Sequence, residues 1–240
     1  MRNRLRPLTA VLILFLLIII GCTDMSRTSP ATAPAPKPGP IITLPAPRLD
    51  GPMSVEQSLH ERRSVRTYQD SPLTQDELSQ LLWAAQGITH PSGWRTAASA
   101  GGLYPLELLA VIGQVEGLAA GIYRYRPDDH SLIQIQTGDQ RAALSAAALG
   151  QESVAQGAVV LALAGVYERS SGRYGQRAAQ YVHMEVGIAY QNVHLQAVSL
   201  GLGTVFIGAF DDEQVQSILG LADEERPFCL MPLGKPKHHP

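Results

Sequence analysis

From about Met53 onward, apolar and polar positions alternate between helical and extended spacing. Ser54 with Gln57, and Thr74 with Glu77, carry the spacing of helix N-terminal capping boxes. After the second box Leu78, Leu81, Leu82 and Ala85 fall on one helical face, and Gly87 stops the pattern. Residues 106–112 form a continuous apolar run of strand length. Residues 123–126 and 132–135 are short strand segments parted by Pro127-Asp128-Asp129, and residues 158–166 read as a buried strand. From about residue 175 to 200, Val182, Val186, Ala189, Val193 and Ala197 keep helical spacing, which ends at Gly201-Leu202-Gly203. A strand at 204–207, a helix capped by Asp211 with Gln214, and a last strand at 228–233 follow. Strands and helices intermix with no strict βαβ repeat, which predicts an α+β fold, helices flanking a sheet. No internal repeat, P-loop or dinucleotide-binding glycine motif is present.

The first residues follow another pattern. Arg2, Arg4 and Arg6 precede an unbroken apolar run over residues 10–20, the charged and apolar regions of a secretory signal. A permanent anchor helix is the alternative, but the run falls short of the ~20 residues that span a bilayer. Ile19-Ile20-Gly21-Cys22 resembles the lipobox of bacterial lipoproteins, which implies a signal peptide over 1–21 and lipidation of Cys22. The mature chain then loses three basic residues and becomes more acidic than the full chain. Anionic lipid would not attract it, so attachment rests on several acyl chains. Residues 22–52, rich in Pro, Ala, Ser and Thr, read as a solvated tether to a single domain over 53–240. The expected location is the cell envelope, lipid-anchored outside the cytoplasm.

Composition narrows the class further. The 240 residues are 45% apolar and 17% charged with a net charge of −2, which excludes a disordered chain and a basic nucleic-acid binder. Cys229, between Phe228 and Leu230, reads as a small buried hydrophobe with no disulfide to Cys22. His183 and His194 lie on the long predicted helix with no third ligand in view, so no metal site is expected.

Arg62-Arg63-Ser64-Val65-Arg66 puts three guanidinium groups and a hydroxyl within five residues. Such a cluster repels itself unless an anion joins it, and guanidinium matches phosphate oxygens in fork geometry. A solvated basic helix end, favoured by the helix dipole, is the alternative.

The cluster is the first of six ordered motifs. It continues through Thr67-Tyr68, and Ser99-Ala100-Gly101-Gly102-Leu103-Tyr104-Pro105-Leu106-Glu107 comes next. Tyr174-Gly175-Gln176-Arg177 with Gln191-Asn192, Leu200-Gly201-Leu202-Gly203, Gly208-Ala209-Phe210-Asp211 and Pro232-Leu233-Gly234-Lys235-Pro236 complete the set. In order and spacing they resemble the nitroreductase superfamily, and more narrowly its SagB/thiazole-oxidase-type dehydrogenases. The resemblance runs from about residue 56 to 236.

The resemblance implies a homodimer with FMN at the subunit interface. Arg62 and Ser64 would hold the phosphate, Arg63 would support the ribityl-phosphate end, and Lys235 would complete that site. Arg66 would face the N1/O2 edge of the ring, where a cation stabilises the charge that reduction places there. Ser99, Ala100 and Gly101 match the loop that reaches the ring, commonly from the other subunit, and Gly208 and Ala209 would offer backbone N–H groups to N5 and O4. Tyr174 is the candidate catalytic side chain, with a packing aromatic as the alternative. Azoline-oxidising members carry Lys-Tyr where this chain has Arg173-Tyr174, and arginine is a poor base. Glu185-Val186-Gly187-Ile188 lacks the histidine of the Glu-x-Gly-His found in relatives, leaving Glu185 a structural or dimer-contact role.

The expected function is therefore an exported, lipid-anchored FMN oxidoreductase passing two electrons through flavin N5 to and from small molecules. An azoline peptide dehydrogenase and a non-catalytic flavin-binding lipoprotein are the alternatives.

Overall fold

A computed structural model describes residues 39–237. The expected signal peptide, Cys22 and the tether as far as residue 38 lie outside the described residues.

Seven strands form one sheet: β1 (Ile41–Thr43), β2 (Leu106–Ile112), β3 (Gly121–Arg126), β4 (Ser131–Thr137), β5 (Val159–Gly165), β6 (Gly203–Thr204) and β7 (Arg226–Gly234). Their order is β1-β4-β3-β2-β5-β7-β6 and every pairing among them is antiparallel. Among the described residues, parallel pairing is confined to the isolated bridges Ser64 to Thr204 and Leu73 to Val115. Helices α1 (Val55–Glu61), α2 (Gln75–Gln86), α3 (Arg141–Ala147), α4 (Glu152–Gln156), α5 (Glu168–Tyr174), α6 (Ala178–Ser199) and α7 (Asp212–Leu219) surround it.

The continuous apolar runs are strands covered on both faces. Leu106, Leu108, Ala110 and Ile112 of β2 pack with Leu78, Leu81 and Leu82 of α2 and Val182, Ala189 and Val193 of α6. Leu109 and Val111 turn the other way, against Leu144, Val154, Val215 and Leu219 of α3, α4 and α7. The result is a three-layer α+β fold with the sheet in the middle.

The Thr74 box forms with both bonds, Glu77 N–H to Thr74 Oγ1 (3.2 Å) and Thr74 N–H to Glu77 Oε2 (2.7 Å). At Ser54 only half forms, because the Gln57 amide turns along the helix to Glu61 instead. The long helix begins later than its apolar spacing predicts. Gly175, at φ 52°, ends α5, a 3-10 turn over Gly175–Arg177 follows, and α6 starts at Ala178. The strand expected at 204–207 is reduced to two residues and a bridge from Ile207 to Leu230.

The tether expectation fails for its last stretch. β1 pairs with β4, Leu44 is buried, and Gln80 bonds both the N–H and the carbonyl of Arg48 (2.8 and 3.0 Å). The prolines around this segment suggested a spacer, but Pro is compatible with an edge strand, and here that strand closes the sheet.

The C-terminus of α6 fixes the next segment. Gly201, at φ 70°, takes the left-handed position, with its N–H on Val198 O (2.9 Å) and the Leu202 N–H on Ala197 O (2.8 Å), a Schellman turn. This turn delivers Gly203 against Val65, so closely that a Cβ on Gly203 would lie 2.6 Å from Val65 Cγ1.

Two outcomes are expected. Leu44→Ala should cost about 2 kcal/mol or more in urea unfolding, as for a buried leucine. Gly203→Ala should cost about 1–3 kcal/mol through overpacking against Val65, and Val65→Ala in the same chain should recover part of that loss.

Candidate functional site

The predicted site residues gather at the two ends of α6. At its C-terminal end lies the arginine segment. Arg62 caps α1, and the chain then runs beside β6, with the Val65 N–H on Thr204 O (2.9 Å) and Ser64 bridged to Thr204. Farther on, the Gln69 N–H donates to Lys235 O (2.8 Å) and the Lys237 N–H to Thr67 O (3.2 Å). The Tyr68 hydroxyl, buried beneath, donates to Val65 O (2.7 Å) and lies 3.0 Å from Pro232 O. Lys235 is thus brought alongside the cluster although it is far away in sequence.

Arg62 and Arg66 both act on the Tyr190 hydroxyl of α6: burial raises its pKa, and the two cations pull it back. Arg63 turns away, and its guanidinium donates to the carbonyls of His60 (2.9 Å) and Arg62 (2.8 Å) at the end of α1. On that side a cavity of about 490 Å³ is lined by His60, Glu61, Arg63, Val65, Leu202 and Pro236. Among the described residues no carboxylate forms an ion pair with Arg62, Arg63, Arg66 or Lys235. Thr204 Oγ1, buried beside Ser64, has no hydrogen-bond partner. Arg63 and Arg66 are exposed and Arg62 and Lys235 half-buried, and such a group of cations without counter-charge fits an anionic group such as phosphate.

Gly208 and Ala209 stand next to this cluster. The exposed Phe206 ring meets Tyr190 edge-on at 5.0 Å, and a Cβ on Gly208 would lie 2.9 Å from the Phe206 ring. Gln151 Nε2 donates to Ala209 O (3.0 Å), which holds the turn.

At the other end of α6, Gly101 and Gly102 both take positive φ (65° and 66°), a conformation that favours glycine. The Ala100 N–H donates to Glu185 Oε1 (2.8 Å), and Ser99 Oγ accepts the Tyr104 N–H (2.8 Å). A Cβ on Gly101 would lie 2.7 Å from the Tyr174 hydroxyl. Tyr174 itself packs edge-on to Tyr181 (4.8 Å), and Arg173 Nη1 donates to Gly101 O (3.4 Å). Glu185 and His194, nine positions apart on α6, mark the two groups, so about 14 Å of helix separates them.

Cys229 is fully buried and burial pushes its thiol up to about 12, so it is not a nucleophile. A second cavity, of about 370 Å³, lies between residues 48–53, α1, α2 and α6 and holds none of the predicted site residues.

Sequence reading assigned neither the part Glu185 plays in holding the Ser99 loop nor the contacts of His194. Both lie on the Val182–Ala197 core stripe, and a polar residue at core spacing is the signal that points to them. Burial raises the Glu185 pKa against the lowering effect of the Ala100 N–H and the Ser99 hydroxyl. The folded chain therefore keeps this proton where the unfolded chain has released it. The linked stability is complete below the ordinary value of 4.5 and is lost as pH rises through the folded value. In urea unfolding across that range, Glu185→Gln should show a smaller fall in stability with rising pH than the native chain.

Residues 59–235 match the pattern of the Nitroreductase family. A Methanocaldococcus jannaschii protein named as a nitroreductase is 46% identical over 183 residues, 76% of this chain and 91% of that protein. The structure of a Ralstonia eutropha protein described as a nitroreductase superposes with a TM-score of 0.73 at 28% identity, covering 88% of this chain and 99% of that one. One from Anabaena variabilis gives 0.69 at 33% identity over 76% of this chain, which spans 38% of that protein's length. The chain belongs to the nitroreductase family of FMN-dependent oxidoreductases.

Proposed function

We propose that this protein is a flavin oxidoreductase whose FMN site is completed by two copies of the chain. The observation that carries the reading is the separation of the two groups along α6. The anion-binding end and the glycine loop lie on opposite sides of α6, about 14 Å apart along its axis in one copy, and we infer from the family resemblance that the loop of a second copy faces the cluster of the first. The solvent face of α6 supports such pairing: Met184 and Ile188 are 53% and 40% exposed, and nothing stands within 4 Å of where a Cβ on Gly187 would be.

Arg62, Ser64 and Lys235 would hold the phosphate, with Arg63 bracing the segment from α1. Arg66 would face the N1/O2 edge of the ring, and the backbone N–H groups of Gly208 and Ala209 would meet its N5 and O4. Ser99, Ala100 and Gly101 lay small residues where a flat ring needs close approach. Bound FMN supplies two-electron transfer at N5; the chain supplies position and fixed positive charge.

The lipobox-like Ile19-Ile20-Gly21-Cys22 supports a lipid-anchored protein outside the cytoplasm. Nicotinamide cofactors are scarce there, so a quinone, a redox protein or the substrate itself is the proposed electron partner. A microcin synthetase complex of Escherichia coli with truncated pro-MccB17 bound shares the fold at 22% identity and a TM-score of 0.66. Together with the ordered motifs this keeps a SagB-type, azoline-oxidising reading as second. Arginine is a poor base, so Arg173 is unsuited to that role.

Purified protein should release one FMN per chain on heating, identified by mass. A protein that is colourless and takes up no added FMN would overturn the reading. Arg62→Ala and Arg66→Ala should each weaken FMN binding by about 10- to 100-fold, the range for a lost charge-assisted hydrogen bond, in a fluorescence titration.

A further inference from the structure

His194 is 1% exposed, in the middle of the apolar stripe of α6, and no step above uses it. Its Nε2 lies 3.0 Å from Arg63 O and its Nδ1 lies 2.7 Å from the Tyr190 hydroxyl. A carbonyl only accepts, so Nε2 carries the hydrogen. Nδ1 of the neutral ring then accepts from the Tyr190 hydroxyl. Burial and the Arg62 charge both favour this neutral form over the imidazolium, against the Arg63 carbonyl. Around the pair stand Arg62 and Arg66 from the arginine segment and Cys229 from β7.

The tie falls in the middle of the cluster. Arg63 O belongs to the peptide that joins Arg63 to Ser64, so the bond holds the backbone between Arg62 and Arg66. The other ties of this backbone are the α1 cap and the Arg63 guanidinium on the Arg62 carbonyl before it, and the Thr204 contacts and the Tyr68 hydroxyl on the Val65 carbonyl after it; none of them holds the Arg63 carbonyl. Tyr190, the other partner, carries the Phe206 contact on its ring, next to Gly208.

We propose that His194 is a positioning residue for the phosphate of the flavin: a buried neutral imidazole that sets the Arg62–Arg66 segment through the Arg63 carbonyl, locked in its tautomer by Tyr190. The proposal rests on the reading of that segment as a phosphate site. A ligand without phosphate gains nothing from this tie, so His194 controls the preference for FMN over riboflavin.

The test is titration of the apoprotein with FMN and with riboflavin, following flavin fluorescence. The native chain should prefer FMN, and if it does not, the phosphate reading itself fails. His194→Phe keeps the ring volume and loses both bonds. It should lower the FMN-to-riboflavin affinity ratio by up to about tenfold, the size of one well-placed hydrogen bond, with riboflavin affinity unchanged. His194→Gln, whose Nε2 can still donate to Arg63 O, should restore most of the ratio. Tyr190→Phe, which frees the tautomer and keeps the Phe206 contact, should lower the ratio by less than His194→Phe; it stands in for that variant if His194→Phe does not fold. An unchanged ratio in a folded His194→Phe, or equal weakening of both ligands, would overturn the proposal while leaving the phosphate site intact.

Discussion

The approach of Val65 to Gly203 decides where the charges of this protein stand. The contact is too close for a side chain on Gly203, and it follows from the turn at Gly201, which ends α6 and feeds β6. Because the turn is tight, the segment from Arg62 to Tyr68 can lie along β6 and the end of β7, with Tyr68 buried beneath it. Every cation of the proposed phosphate site is placed by that alignment. The Leu200-Gly201-Leu202-Gly203 motif is thus a packing device at one end of the core helix, and the arginines depend on it.

The same helix carries the other half of the site at its far end. Glu185, sunk among apolar neighbours, bonds the Ala100 N–H and so holds the loop of Ser99, Gly101 and Gly102. The buried carboxylate costs stability when ionised, a cost tolerated where it fixes a backbone that side-chain packing cannot reach. One rigid element of 22 residues therefore sets two loops at a fixed distance. The proposed flavin site takes one end of this helix from each of two copies.

Much of this was legible in the sequence. The β2 strand at residues 106–112, the Thr74 box and the Asp211 cap are short-range devices, and short-range chemistry determines them. The six motifs named the family because their order along the chain is specific even where each alone is weak. What the sequence hid depends on partners far away in the chain. β1 sits in a proline-rich stretch that reads as spacer, and only its pairing with residues 131–133 makes it a strand. The apolar spacing starts the long helix at about residue 175, whereas the positive φ of Gly175 and the turn after it delay α6 to Ala178. Helices α3, α4 and α5 carry no sequence signal because they are short, with no helical repeat long enough to show a face.

In the proposed site, FMN takes its arginines from one copy and its glycine loop from another. Two differently tagged chains test it, one carrying Arg62→Ala with Arg66→Ala and the other Gly101→Val, which places a branched side chain at φ 65° against Tyr174 and Arg173. Each chain alone should bind no FMN. The mixed dimer, isolated through both tags, should bind one FMN, because one of its two sites joins intact arginines to an intact loop. A mixed dimer that binds none would contradict the account and put both halves of each site in a single chain.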